Sequence, residues 1–133
     1  MLKSLLANTV IATALLAVGG AASASDKKLV FAVVPKFANH PFFDQVLAGC
    51  KQAETEPKGK VECYYIGPSQ NSGGEVQAQM VGGLIAKKVD GIAVSVANAP
   101  AMAAVLKKAK KAKISVLTWD SDLLPQDKDL RVA

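Results

Sequence analysis

The chain has 133 residues, half of them hydrophobic, and carries a formal net charge of +5 at pH 7. This length supports one small core and excludes a multidomain architecture. The basic charge would suit a nucleic-acid partner, but aromatic residues make up only 5% of the chain and no nucleic-acid-binding motif is present, so we expect no such partner.

Residues 1–24 have the pattern of a cleaved secretory signal peptide. Lys3 supplies a positive charge, an apolar run follows over residues 5–18, and small residues at 22–24 match an A-x-A cleavage site. The alternative is a retained membrane anchor, which is disfavoured because the run is shorter than a bilayer-spanning helix. The mature chain, 25–133, is then expected to be soluble outside the cytoplasm.

The first element of the mature chain is a predicted strand from Leu29 to Val34. The run is apolar throughout and rich in β-branched residues, which predicts a strand buried on both faces. The strand ends at Pro35, and a short polar loop leads to Pro41, whose fixed φ suits the first position of a helix.

The rest of the chain alternates helices with strands. We predict helices over 41–56, 72–88 and 100–111, strands over 61–66, 91–95 and 114–118, a Pro-Lys-Gly helix stop at 57–59, and the start of a fifth strand at 130–133. Ser72 and Glu75 form a predicted capping box for the second helix. Its predicted apolar stripe is Val76, Met80, Val81, Leu84 and Ile85. The alternation predicts an α/β fold with a doubly wound parallel sheet and right-handed crossovers.

Cys50 and Cys63 are the two cysteines of the chain. In an exported protein a cysteine pair favours a disulfide over metal or redox chemistry, with two buried free thiols as the alternative. Cys50 lies on the first predicted helix and Cys63 near the start of the second strand, two elements that pack together in this architecture. Closing such a loop would contribute about 3 kcal/mol.

Candidate binding residues follow the carboxyl ends of the strands, where doubly wound folds bind their ligands. The loop after the first strand and the helix that follows it carry Lys36, Asn39, Phe42 and Phe43. The fourth strand delivers the segment 119–122 to the same edge of the sheet.

Three motifs together carry a family resemblance: Val34-Pro35-Lys36, Asn39-His40-Pro41-Phe42-Phe43 and Thr118-Trp119-Asp120-Ser121-Asp122. The mature chain resembles the N-terminal part of the type I periplasmic sugar-binding proteins of ABC transporters, near the rhamnose and autoinducer-2 branch. In that family two lobes close around a sugar, and this chain matches an incomplete first lobe. The resemblance implies a periplasmic location, a small sugar ligand, a membrane permease as partner, a chemoreceptor as a further partner, and no cofactor.

The resemblance also implies roles for individual residues. Asp120 matches an aspartate that accepts hydrogen bonds from sugar hydroxyls, and Lys36 matches a lysine that contacts ligand hydroxyls in the autoinducer-2 branch. Phe42 and Phe43 match aromatic residues that pack on the apolar face of a sugar. Asn39 can offer both a donor and an acceptor.

Each assignment has a structural alternative. Asp120 could cap the next turn, Lys36 could be an ordinary surface lysine, and Phe43 could belong to the core. Weaker candidates are His40, which stands where ribose-binding relatives often have asparagine, Trp119, which could cover the end of the sheet, and Asp122, which could be solvated or structural.

A second hypothesis is an exported carbohydrate-acting enzyme in which Asp120 and Asp122 form a carboxylate pair. Catalytic carboxylates flank the scissile bond from opposite sides, which two aspartates in one loop do not do. No activated nucleophile or metal-binding cluster accompanies them, so we expect no catalytic residue and no metal site. A periplasmic sensor domain is a third hypothesis, but it requires a membrane segment, and the sequence after the signal shows no such segment.

Overall fold

The computed structural model describes residues 27–56 and 60–133. The predicted signal peptide at 1–24 and the predicted helix stop at 57–59 lie outside the described residues. Within them, no helix combines the length and hydrophobicity that crossing a membrane requires.

The described residues form a four-stranded parallel sheet flanked by helices. In chain order the elements are β1 (Leu29–Val34), α1 (Pro41–Thr55), β2 (Val61–Tyr65), α2 (Gly74–Ala86), β3 (Gly91–Val94), α3 (Ala99–Lys111), β4 (Ser115–Thr118) and a 3-10 helix (Pro125–Leu130). The strand order is β2-β1-β3-β4, so the winding reverses between β1 and β3. The predicted α/β fold class is confirmed.

The main core lies between the sheet and the helices α2 and α3. Met102 and Leu106 of α3 are completely buried, as is Val81 of α2. They pack with alternating residues of the strands, namely Ala32, Val34, Ile92, Val94 and Val116. Burial of each large apolar side chain contributes about 1.5–3 kcal/mol relative to leaving it exposed, so this layer contributes strongly to the stability of the sheet.

Helix α1 lies on the opposite face, where it packs mainly against β2. Cys50 of α1 and Cys63 of β2 are joined as a disulfide, and their Cα atoms are 5.5 Å apart. The backbone N–H of Cys63 also donates a hydrogen bond to Glu54 Oε1, at 3.0 Å. The Tyr65 hydroxyl of β2 donates to the Phe43 carbonyl of α1 at 3.1 Å. One covalent link and two hydrogen bonds therefore fasten α1 to the edge strand.

The prediction that β1 is buried on both faces is wrong. Leu29 is 44% exposed and Phe31 is 37% exposed. Phe31 is in register with Cys63 and shares the face that carries α1. Because α1 lies over β2, that face is left uncovered along part of β1.

The predicted capping box of α2 is also wrong. The N-cap residue is Gly73, and it makes no side-chain cap hydrogen bond. The Ser72 hydroxyl pairs instead with the Ser69 hydroxyl, at 2.7 Å. Glu75 Oε1 accepts a hydrogen bond from Asn98 Nδ2 at 2.9 Å. Ser72 thus bonds within its own loop and Glu75 bonds to the loop after β3, rather than each to the other's backbone.

The predicted apolar stripe of α2 differs from the observed one at its first turn. Val76 is 39% exposed, whereas Gln77 is completely buried. Gly74, the first residue of the helix, packs against the loop after β3, where a β-carbon would lie 2.9 Å from the backbone nitrogen of Asn98. The first turn of α2 is therefore placed by contacts with that loop.

The prediction of a fifth strand over 130–133 agrees only in part with the structure, in which the last residues lie along the outer edge of β4. Leu130 ends the 3-10 helix. The Val132 N–H then donates to the Val116 carbonyl at 2.8 Å, and the Thr118 N–H donates to the Ala133 carbonyl at 2.8 Å. The segment 131–133 therefore runs parallel to β4, although it is not itself a regular strand.

Candidate ligand-binding site

Two predicted site residues from opposite ends of the sequence meet at the carboxyl edge of the sheet. Lys36 follows β1 and Asp120 follows β4, and Lys36 Nζ lies 3.1 Å from Asp120 Oδ2. Their side chains are 30% and 29% exposed. An ion pair this open to solvent contributes little to stability, and it remains accessible to a ligand.

The two carboxylate oxygens of Asp120 have different surroundings. Oδ2 accepts hydrogen bonds from Ser95 Oγ at 2.8 Å and from Ser121 Oγ at 3.4 Å, in addition to the Lys36 contact. Oδ1 has no hydrogen-bond partner among residues 27–56 and 60–133. The Ser95 hydrogen bond, followed by the Lys36 ammonium, lowers the pKa of Asp120. The group is therefore ionised at neutral pH and presents an open acceptor.

Asp120 and Asn39 both have a left-handed backbone, with φ of 61° and 60°. Aspartate and asparagine tolerate this region better than other residues with a β-carbon, and such conformations cluster at functional sites. At Asp120 the turn is tight, because the Ser121 N–H donates to the Trp119 carbonyl at 2.6 Å. The Asn39 side chain is exposed and makes no hydrogen bond within the described part of the chain.

The predicted aromatic residues form a cluster centred on Phe43. Its ring contacts Phe37, Phe42 and Trp119 edge-on, with centroid distances of 5.2, 5.1 and 5.6 Å. Phe43 is only 4% exposed, whereas Phe42 is 55% exposed. Phe42 can therefore offer a face to a ligand, while Phe43 supports the cluster from below.

His40 and Trp119 have local structural contacts. His40 is the N-cap of α1, and its Nδ1 accepts a hydrogen bond from the Phe42 N–H at 3.3 Å. The Trp119 Nε1–H group is buried and has no acceptor among the described residues. A buried donor of this kind normally has a partner, so this indole N–H carries a desolvation cost that its ring packing against Phe43 has to offset.

Asp122 is engaged in a network that holds the C-terminal segment. Arg131 donates to both of its oxygens, at 2.7 and 2.8 Å. Thr118 Oγ1 and the Leu123 N–H donate to Oδ1, each at 2.8 Å, and Lys128 Nζ lies 3.4 Å from Oδ2. The Arg131 guanidinium holds the pKa of Asp122 well below its usual range. Both oxygens serve the fold, so this loop does not offer two available carboxylates.

The loop at 119–122 borders an open depression of about 290 Å³, which is also lined by Thr118 and Arg131 but not by the predicted residues Lys36 and Phe42. Ligand pockets in proteins usually enclose about 70–90% of the ligand surface. The described residues therefore offer one wall of a binding site.

Sequence reasoning missed three residues that shape this wall: Ser95, Phe37 and Gln77. Ser95 could have been found, because it is the polar last residue of the predicted strand 91–95, at the predicted binding edge. Gln77 gave only a weak signal, as one polar residue next to an apolar helical stripe. Phe37 gave none beyond its position in the same loop as Lys36.

Residues 31–133 match the family model of the periplasmic binding protein domain. A solute-binding protein of an ABC transporter from Burkholderia graminis, solved with D-arabinose, is 38% identical, with a TM-score of 0.66 over 77% of this chain and 34% of that one. A second, from Agrobacterium vitis with bound D-fucose, is 28% identical, with a TM-score of 0.71 over 77% and 35%.

LsrB from Clostridium saccharobutylicum, solved with AI-2, is 25% identical, with a TM-score of 0.68 over 77% of this chain and 30% of its own. The chain thus spans about a third of the length of these solved relatives. The resemblance predicted from the three motifs is confirmed, and the chain belongs to the periplasmic binding protein family.

Proposed function

We propose that this chain is the first-lobe part of the substrate-binding component of an ABC sugar importer. It binds a small neutral sugar or sugar-like signal in the periplasm, without making or breaking a bond, for delivery to a membrane permease. The observation that carries the proposal is the Lys36–Asp120 pair, which is held at the carboxyl edge of the sheet with one carboxylate oxygen unpaired among the described residues.

The chemistry of the pair suits a polyhydroxylated ligand. A sugar hydroxyl can donate to Asp120 Oδ1 and accept from Lys36 Nζ, and charge-assisted bonds of this kind are the stronger class. Phe42 lies in the first turn of α1, six residues after Lys36. Its ring is exposed and can pack on the C–H face of a sugar. The adjacent opposite charges favour a neutral ligand, because a charged one would disturb the existing pair.

The relatives support the same ligand class. The solute-binding proteins from Burkholderia graminis and Agrobacterium vitis were solved with the monosaccharides D-arabinose and D-fucose. Because the described residues form one wall of a site, we expect the chain alone to bind such sugars weakly.

The test is a titration of the chain with D-arabinose and D-fucose, followed by amide chemical shifts in NMR spectra. We expect millimolar-range binding with the largest shifts around Lys36 and Asp120. Asp120→Ala should weaken binding by about tenfold or more, as expected for loss of a charged hydrogen-bond partner. Asp129→Ala is the matched control, because Asp129 is an exposed aspartate paired with Lys110, at 2.6 Å, on the terminal 3-10 helix.

Equal affinity of Asp120→Ala and the unaltered chain would contradict the assignment of Asp120. Sub-micromolar binding by the chain alone would contradict the inference that it provides a single wall. Conversion of the sugar during the titration, seen as new ligand resonances, would contradict a binding function and favour the enzyme hypothesis.

A further inference from the structure

Gln77 is the one large polar side chain that is completely buried among the described residues. It belongs to α2, yet its side chain bonds to the ends of two strands. Nε2 donates to the Pro35 carbonyl at 2.9 Å and to the Ser95 carbonyl at 2.7 Å. Oε1 accepts from the Ala97 N–H at 3.0 Å.

These three bonds explain why the residue is glutamine. A carboxamide offers two N–H donors on one atom and an acceptor on the adjacent atom, and here all three are used. A glutamate of the same size lacks the two donors, and a methionine of similar size makes none of the bonds. Leaving the buried carbonyls of Pro35 and Ser95 unpaired would be costly, so the site selects an amide.

The position of this amide is the point where the winding of the sheet reverses. β1 and β3 pair as far as the bond from the Ser95 N–H to the Val34 carbonyl, at 2.9 Å. Beyond that bond, the Gln77 amide spans the two strands by bonding to Pro35 and Ser95. Ligands of doubly wound folds bind in the crevice that opens at such a reversal. Gln77 therefore forms the floor beneath the candidate site.

Both strand ends that Gln77 holds also lead to Asp120. Lys36 directly follows Pro35, and its ammonium contacts Asp120 Oδ2. Ser95 supplies the hydroxyl that donates to the same oxygen. The two main partners of the Asp120 carboxylate are thus fixed from below by one side chain.

We propose that Gln77 is a positioning residue, which sets the Lys36–Asp120 pair by fixing the backbone at Pro35 and Ser95. The proposal rests on the proposed function for its biological meaning, because the pair is the proposed sugar anchor. Its geometry, however, can be tested without any sugar.

The experiment compares Gln77→Met with the unaltered chain by following the Asp120 carboxyl resonance in an NMR pH titration. We expect the pKa of Asp120 to rise in Gln77→Met, because Ser95 and Lys36 are no longer held against Oδ2. Two controls separate this effect from general destabilisation. Val81→Ala removes buried volume one turn further along α2, and Gln79→Met makes the same exchange at an exposed position.

Both controls should leave the pKa of Asp120 unchanged, even though Val81→Ala lowers the melting temperature. An unchanged pKa in a folded Gln77→Met, or an equal rise in Val81→Ala, would overturn the proposal. If Gln77→Met does not fold, Gln77→Glu serves in its place. Burial keeps that carboxyl neutral at the acidic pH where Asp120 titrates, and a single O–H donor cannot replace two N–H donors. The pKa of Asp120 should still rise, and no rise would overturn the proposal.

Sugar binding provides a second and independent readout. If the unaltered chain binds D-arabinose or D-fucose, Gln77→Met should weaken that binding by about tenfold, whereas Gln79→Met should not. If the unaltered chain binds neither sugar while Gln77→Met raises the pKa of Asp120, the proposed function fails and the positioning role stands. The two failures are therefore distinguishable.

Discussion

Asp120 and Asp122 lie two residues apart in one loop, yet their surroundings differ. Asp122 has both oxygens engaged, chiefly by the two-pronged contact with Arg131, and it ties the C-terminal segment to the end of β4. Asp120 has three contacts that converge on one oxygen, and its other oxygen is unpaired among the described residues.

The comparison shows how one loop separates stability from recognition. A carboxylate whose acceptor sites are all filled by its own chain stabilises the fold and has no capacity left for a ligand. A carboxylate that is held on one side only can be both rigid and available. Four predictions test this division, from the largest expected effect to the smallest.

The largest effect is expected from the disulfide, which serves as a purely structural reference. The double variant Cys50→Ser/Cys63→Ser should lose about 2–5 kcal/mol of unfolding free energy, measured by urea denaturation. The pKa of Asp120 should stay unchanged, because the bridge joins α1 to β2, the strand farthest from β4 in the sheet. A shifted pKa of Asp120 in the double variant would mean that the candidate site responds to any loss of stability. That result would contradict the assignment of separate roles to Asp120 and Asp122.

The next effect concerns the two aspartates themselves. Asp122→Ala should lower the melting temperature by several degrees, because it releases Arg131 and the hydroxyl of Thr118 together. Asp120→Ala should lower it less, because its contacts converge on one oxygen and include no backbone N–H among the described residues. Thermal unfolding followed by circular dichroism gives both values. Equal losses in the two variants would contradict the comparison.

An effect of comparable size is expected at the first turn of α2, beside the loop that supports Asp120. Gly74→Ala should lower the free energy of unfolding by about 1–3 kcal/mol, because the new β-carbon would clash with Asn98. Gly83→Ala on the same helix is the control. A β-carbon there meets nothing within 4 Å, so the higher helix propensity of alanine should stabilise the protein by about 0.5–1 kcal/mol.

These glycine variants also separate the two aspartates. Gly74→Ala should shift the NMR resonances of Ser95 and Asp120 more than those of Arg131, since the displaced loop contacts the Asp120 side. Equal shifts on both sides would show that the loop after β4 responds as one unit.

The smallest effect is a difference in acid sensitivity. The pKa values of Asp120 and Asp122 are lowered in the folded state from the ordinary value of 3.8. A lowered pKa contributes stability that is fully present above the ordinary value and is lost as the pH falls through the folded value. The melting temperature should therefore decline below about pH 4. Asp122→Asn should start lower at pH 7 and decline less steeply, and parallel curves for the two proteins would contradict this assignment.

Local sequence pattern by itself determined the element order and the parallel α/β class. Apolar runs such as Leu29–Val34 and helical stripes such as that of α3 need no partner to be recognised, because their periods reflect backbone geometry. The rule that ligands bind at the carboxyl ends of strands also predicted that Lys36 and Asp120 lie at the same edge of the sheet. Motif resemblance then indicated the family.

Only the tertiary structure decided how these residues divide their tasks. Residue type and spacing do not distinguish Asp120 from Asp122. The motif resemblance ranked Asp120 first, but the physical difference depends on which cations and hydroxyls lie nearby. Ser72 and Glu75 matched a capping box, but Ser69 in the same loop and Asn98 in the loop after β3 are the partners that they bond instead.

Gln77 shows the same limit most clearly. By local pattern it is a polar residue beside an apolar stripe, and the structure buries it because two strand ends require an amide there. Periodicity reports which face of an element is apolar. The partners of Gln77 lie 42 residues before it and 18 residues after it in the sequence, so these hydrogen bonds form only when the sheet is assembled.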